Sequence, residues 1–242
     1  MDLHRRIPTV SQAKPFQLAT LREAREECPQ RISWSLLFLR AFALASVEFP
    51  NLRRTLIAWP WHHLYEHPTA YANLTVSREY QGEQWLFFAP LEAPESHSLL
   101  ELQGMLNRYQ QAPVEVVFKN QVRFACYPRF IRQALWWLRF NLSGRKRIKR
   151  LGTFGLTTVA GQGVTILDPK APVTSTLTYG PLDETGCCEV ILAYDHRVMD
   201  GKEVATIMRR VEEIMQGEMV QEMQALTHYF HQETLAAQTN AA

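Results

Sequence analysis

The sequence predicts an α+β fold, and three observations carry that reading. Six short runs rich in β-branched or aromatic residues are bounded by Gly, Pro or Asp, which is the pattern of strands. Three longer segments, Ser33 to Val47, Ser98 to Tyr109 and Lys202 to Met215, read as helices. The two kinds of element do not alternate strictly, as a parallel βαβ sheet requires.

Taken in order, Ser33 to Val47 (SWSLLFLRAFALASV) is dense in Leu and Ala, so it predicts a buried helix with Ser33 placed to cap it and Phe49-Pro50 ending it. Tyr71 to Ser77 and Glu83 to Ala89 predict strands. Ser98 to Tyr109 predicts the second helix, and Val114 to Val117, Gly155 to Ala160, Ser175 to Gly180 and Glu189 to Tyr194 predict further strands. Over Lys202 to Met215, apolar Val204, Ile207, Met208, Val211 and Ile214 recur at helical spacing beside Arg209, Arg210, Glu212 and Glu213. The tail 217–242 is expected to continue as an exposed helix to about Phe230, with Thr239-Asn240-Ala241-Ala242 frayed.

With 242 residues, 46% hydrophobic and 21% charged, the expectation is one domain over 1–242 with a full core. No apolar run nears the roughly 20 residues of a membrane span, and Met1 to Arg6 lacks a signal-peptide stretch. A cytoplasmic location is expected. Cys28, Cys126, Cys187 and Cys188 have no metal-ligand spacing, and adjacent Cys187-Cys188 suit reduced thiols. His62, His63 and His67 lack neighbouring Cys or clustered carboxylates, so no metal site is expected.

The net charge of +2 hides an asymmetry, because ten Lys or Arg and no Asp or Glu lie between Val116 and Leu167. Such a block suggests a surface that meets anions. Nucleic acid is disfavoured, because the basic run carries no recognisable binding motif.

The segment that carries chemistry is Val190-Ile191-Leu192-Ala193-Tyr194-Asp195-His196-Arg197-Val198-Met199-Asp200-Gly201. An apolar strand runs into an imidazole with a carboxylate four residues on. An imidazole with an ordinary pKa of about 6.5 is partly neutral at cellular pH and accepts a proton from an attacking thiol or hydroxyl. By spacing alone, a structural histidine in a capped turn is the commoner explanation, since a lone His near two Asp residues occurs often.

Asp195-His196-Arg197-Val198-Met199-Asp200-Gly201 resembles the Asp-His-Arg-x-x-Asp-Gly signature of the 2-oxoacid dehydrogenase acyltransferase catalytic domains. It is related to the His-His-x-x-x-Asp-Gly motif of chloramphenicol acetyltransferase. Gly152-Thr153-Phe154-Gly155-Leu156-Thr157-Thr158 is similar to the family's Gly-Thr-Phe-Thr-Ile-Ser segment, and Leu167-Asp168-Pro169 to its Asn-Pro-Pro turn. The resemblance runs from about residue 30 to 215.

The resemblance implies a two-layer chloramphenicol acetyltransferase-like sandwich, a mixed sheet with helices on one face, and a homotrimer or an assembly of trimers with active sites at subunit interfaces. It implies acyl-CoA as co-substrate and His196 as general base. Thr157 matches the serine whose hydroxyl stabilises the oxyanion, with Thr158 the near alternative. Asp200 is implied as an anchor paired with an arginine, for which Arg5, Arg6 and Arg197 are candidates, and Gly201 permits the turn into the helix.

The sequence departs from the family in two ways. It carries no Asp-Lys-Ala lipoylation segment, hence no lipoyl-lysine, and the residues before Ser33 are too few for a lipoyl domain. The expectation is therefore a free-standing acyltransferase acting on a thiol, hydroxyl or amine. The alternatives are a dehydrogenase-complex core served by a separate lipoyl domain and a non-catalytic trimeric or membrane-scaffolding protein. Second, 128–150 (PRFIRQALWWLRFNLSGRKRIKR) looks like an insertion combining apolar bulk, Trp136-Trp137 and the basic run Arg145 to Arg150. It suits an interfacial membrane helix, a lid over a lipophilic substrate, or a core or trimer-contact helix followed by a solvated loop. Lys119 and Arg123 are further cations that no motif assigns.

Overall fold

The computed structural model describes residues 7–59, 61–141, 147–148, 151–170 and 172–240. Eight strands are present among them: β1 Thr9–Gln17, β2 Arg54–Ile57, β3 His63–Glu66, β4 Tyr71–Tyr80, β5 Glu83–Glu92, β6 Phe154–Leu156, β7 Ser175–Tyr179 and β8 Cys187–Asp195. The helices are α1 Ala19–Glu27, α2 Trp34–Glu48, α3 Leu99–Gln111, α4 Val114–Val117, α5 Lys119–Ala125, α6 Arg129–Asn141, α7 Gly201–Gln216 and α8 Glu218–Asn240. Six strands form one mixed sheet in the order β1-β8-β7-β6-β4-β5, and β2 pairs with β3 apart from it. The β4–β6 and β6–β7 pairs are parallel; the others are antiparallel.

Strand alternation sorts the large sheet into two unlike faces. Phe16, Ala72, Leu74, Val76, Phe87, Ala89, Leu91, Phe154, Leu156, Leu177, Val190 and Leu192 join the helices in one apolar core. The intervening positions are mostly small or polar, as at Asn73, Gly155, Thr176, Thr178 and Ala193, with Leu86, Phe88 and Ile191 the large apolar exceptions. Helix α2 is the centre of the helical layer because its apolar residues are not confined to one stripe. Leu36, Leu37, Phe38, Leu39, Phe42 and Ala43 are all fully buried. Phe38 stacks on Tyr179 at 4.2 Å and Phe42 meets Phe154 at 4.7 Å, so truncating either ring to Ala is worth about 3–5 kcal/mol. Ion pairs tie the layer's rim: Arg40 to Glu222, Lys14 to Glu212, and Arg210 to both Glu48 and Glu218.

Several expectations change. Val114 to Val117 is a helical turn, not a strand, with the Pro113 carbonyl accepting from Val116 and Val117. The expected strand at Gly155 to Ala160 ends at Leu156. Ser33 occupies the N-cap position of α2 without a side-chain bond, and its backbone N–H donates to Gln103. Ser98, in contrast, closes a full capping box with Glu101. The C-terminal helix reaches Asn240 and starts as core, with Met219, Val220 and Met223 buried. Ala241 and Ala242 lie outside the described residues. The segment 112–141 forms α4, α5 and α6, and Gln121 of α5 bonds both the N–H and C=O of Phe88, covering part of the β5 edge.

Candidate active site

His196 follows β8 directly, and its loop is pinned on both sides. Its backbone N–H donates to Pro8 O at 3.0 Å, just ahead of β1. The preceding Asp195 is 6% exposed and receives three bonds from Arg197: from the backbone N–H at 3.0 Å, from Nε at 2.9 Å and from one Nη at 2.7 Å. Val198 and Met199 donate back to Asp195 O, and Met199 is buried. The Arg197 guanidinium is pushed above its ordinary range by this carboxylate. The imidazole itself is exposed, with Tyr194 beneath it at a ring separation of 5.9 Å.

Asp200 occupies the N-cap of α7, accepting from Glu203 N–H at 2.8 Å. Arg197 pairs with Asp195 through Nε and one Nη, while Asp200 accepts at the start of the helix. Arg5 and Arg6 lie outside the described residues. A Cβ at Gly201 would meet the flexible end of Gln12, Nε2 at 2.7 Å, and that amide donates to Gly201 O and Tyr194 Oη. The sequence gives no hint of Gln12, which belongs to an unforeseen strand.

The two threonines after β6 differ. Thr158 Oγ1 donates to Tyr179 O at the end of β7 at 2.8 Å and accepts from Ala160 N–H at 3.0 Å, so it is committed to holding its loop against β7. The Thr157 backbone N–H donates to Leu177 O, while its half-buried hydroxyl has no hydrogen bond among the described residues. Gly152, at φ +77°, sets the entry to this strand, since a Cβ there meets Tyr71 O at 2.7 Å.

Within one chain, Thr157 and His196 are not brought together. Leu156 is level with Leu177, and Tyr194 with Ser175, while β6 and β8 flank β7 and run in opposite directions. Three residues along the strands and two strand spacings separate Leu156 from Asp195 by about 14 Å. Thr157 and His196 each lie one residue further out, in opposite directions.

Lys119 and Arg123 are exposed on α5. His67 is 1% exposed, and burial, with Arg147 and Arg53 adding to it, pushes its imidazole down to about 4. No three of His, Cys, Asp and Glu gather as a metal site among the described residues.

No protein-family model and no curated protein sequence matches the chain. Solved structures do. The dihydrolipoamide acetyltransferase of Azotobacter vinelandii, described in terms of the role of a serine, a histidine and an asparagine in its catalytic mechanism, superposes with TM-score 0.64 at 17% identity, over 89% of this chain and 85% of that one. A probable dihydrolipoamide acetyltransferase of Listeria monocytogenes gives 0.59 at 14% identity, over 91% and 87%. A chloramphenicol acetyltransferase gives 0.55 at 12% identity, over 88% and 92%. The chain therefore has the fold that dihydrolipoamide acetyltransferase catalytic domains and chloramphenicol acetyltransferase share.

Proposed function

We propose that the protein is an acyltransferase whose active site is completed between copies of the chain, His196 facing Thr157 of a neighbouring subunit. The observation that carries this reading is the pairing of an exposed imidazole on a rigidly pinned loop with an uncommitted hydroxyl at the far end of the same sheet. Neither group has another task among the described residues, and one chain alone leaves them too far apart to act on one substrate. The histidine and asparagine named for the Azotobacter enzyme are four positions apart, as are His196 and Asp200 here.

In this reading His196 takes the proton from the acceptor thiol, hydroxyl or amine, and the freed electron pair attacks the thioester carbonyl. Thr157 donates its hydroxyl to the oxyanion of the tetrahedral adduct. Collapse breaks the carbon–sulfur bond, and the imidazolium returns its proton to the departing thiolate. Acyl-CoA is the proposed donor, and an assembly of trimers the proposed state. Removing a general base typically costs about 10²–10⁴ in rate. His196→Ala is therefore expected to lose at least about a hundredfold in thioester consumption across an acyl-CoA panel with small acceptors. Wild-type turnover by that variant overturns the mechanism.

A further inference from the structure

The apolar residues of α6 do not all face inward. Phe130, Ala134, Trp137 and Leu138 recur at the i, i+4, i+7, i+8 spacing of one helical face, and all four are exposed, Phe130 at 71% and Trp137 at 49%. The helix has not swung away from the body. Trp136 packs against Leu151 and Val173 and meets Phe124 edge-on at 5.7 Å. The outward face continues onto the β2–β3 turn, where Trp59 meets Trp137 edge-on at 6.5 Å and Trp61 stands 70% exposed.

The chain segment that carries this aromatic face is rich in charge of one sign. Lys119, Arg123, Arg129 and Arg132 are exposed on α5 and α6, and no acid occurs from Val116 to Leu167. Arg123, Arg129 and Arg132 form no ion pair among the described residues. Arg147 is different. It is buried and donates to Leu56 O at 3.1 Å and Pro172 O at 3.3 Å, so this member of the basic run is structural and does not meet solvent. A subunit contact buries apolar rings but has no need of a cation-rich segment behind them, whereas indole and phenyl rings carried on a cationic, acid-free segment match the interface of an anionic bilayer.

We propose that the outward face of α6 and the β2–β3 turn together dock the chain on an anionic membrane surface. The inference is independent of the catalytic reading. The face borders the end of the sheet that bears His196, since Val173 under Trp136 precedes Thr174, whose carbonyl accepts from Asp195 N–H.

The test is sedimentation of the full chain with phosphatidylcholine vesicles, with and without about one third phosphatidylserine. Binding is expected only to the anionic vesicles. It is expected to fall as salt rises from about 0.05 to about 0.5 M, which shortens the screening length from about 14 to about 4 Å. Each cation that reaches the headgroups is worth about fivefold, so the triple variant R123Q/R129Q/R132Q is expected to lose about tenfold or more. Trp61→Ser with Phe130→Ser, both at well-exposed positions, is expected to lose about tenfold. Equal pelleting with both vesicle types, no pelleting, or unchanged binding by either variant overturns the proposal. A smaller assembly for the Trp61, Phe130 variant in sedimentation equilibrium also overturns it, by assigning the face to a subunit contact. The salt dependence of the unmodified chain reads the same question without any variant.

Discussion

The Asp195–Arg197 pair is expected to be the pin of the candidate site, and Asp195→Asn tests it with little change in volume. The carboxylate accepts three bonds at 2.7–3.0 Å, two of them from the guanidinium. An asparagine keeps one oxygen facing the backbone N–H and Nε, but it turns an amide N–H toward the Nη that now donates to it. One charge-assisted bond is lost outright and another loses its charge, at roughly 1.5–3 kcal/mol for bonds to charged groups. Because the Arg197 side chain is 38% exposed, water compensates part of that loss, leaving about 2 kcal/mol. Buried Arg147, whose guanidinium burial lowers to about 10 and which the Asp195 charge supports, loses that support as well. For a chain of 242 residues, about 2 kcal/mol lowers Tm by about 4–8 °C. Circular dichroism melts read the shift, and the loosened loop is expected to reduce thioester turnover at temperatures where the variant is still folded. A Tm within about 1 °C of wild type refutes the pin, since this shift is smaller than the loss of even one net hydrogen bond.

Three further outcomes follow from the same geometry. Thr157→Val is expected to leave Tm unchanged while lowering turnover by about 10²–10³; Thr158→Val is expected to lower Tm, because its hydroxyl serves Tyr179 O and Ala160 N–H, and reversal of the two results contradicts the assignment. His67, held at about 4 against an ordinary 6.5, refuses a proton that the unfolded chain binds, so its contribution to stability is complete above pH 6.5 and is lost as pH falls toward 4. Urea unfolding at stepped pH is expected to show up to about 3 kcal/mol of that loss, and His67→Phe to flatten it; parallel profiles refute the assignment. Gly152→Ala forces a Cβ to within 2.7 Å of Tyr71 O at φ +77°, so the urea midpoint is expected to fall by the equivalent of about 2–4 kcal/mol, and coincident curves refute it.

Much of the helical layer was legible because its signals are local. The Leu/Ala run of α2, the helical segment Ser98 to Tyr109 and the apolar stripe of α7 each lie within a few turns of chain. The first sheet strand was not. In Thr9–Gln17 the sequence TVSQAKPFQ has little apolar alternation and includes Pro15, tolerable because β1 is an edge strand paired only with β8. At VEVV, β-branched residues suggested a strand, but Pro113 and the burial of Val114 against the core select a helical turn. Tertiary context overrides propensity in so short a run. Beyond Leu156, the Thr158 hydroxyl takes the Ala160 N–H and caps Tyr179 O of β7, turning the chain out of the strand that Thr157-Thr158-Val159 suggested. The candidate site was legible as a motif and illegible as a geometry. Tyr194, His196 and Gly201 lie within eight residues of one another, yet Gln12 reaches Tyr194 and Gly201 through sheet pairing, and the separation of Thr157 from His196 depends on the register of three strands.

That separation makes complementation the decisive measurement. Neither His196→Ala nor Thr157→Val chains are expected to turn over thioester at more than about a hundredth of the wild-type rate. If each site takes His196 from one subunit and Thr157 from its neighbour, chains unfolded together in equal amounts and reassembled at random carry both intact groups at about one site in four. The mixture is then expected to recover about a quarter of wild-type turnover, while the same chains reassembled separately and then mixed recover none. If each site is instead built within one chain, every site keeps a lesion, and a co-assembled mixture no more active than its parents contradicts the shared site.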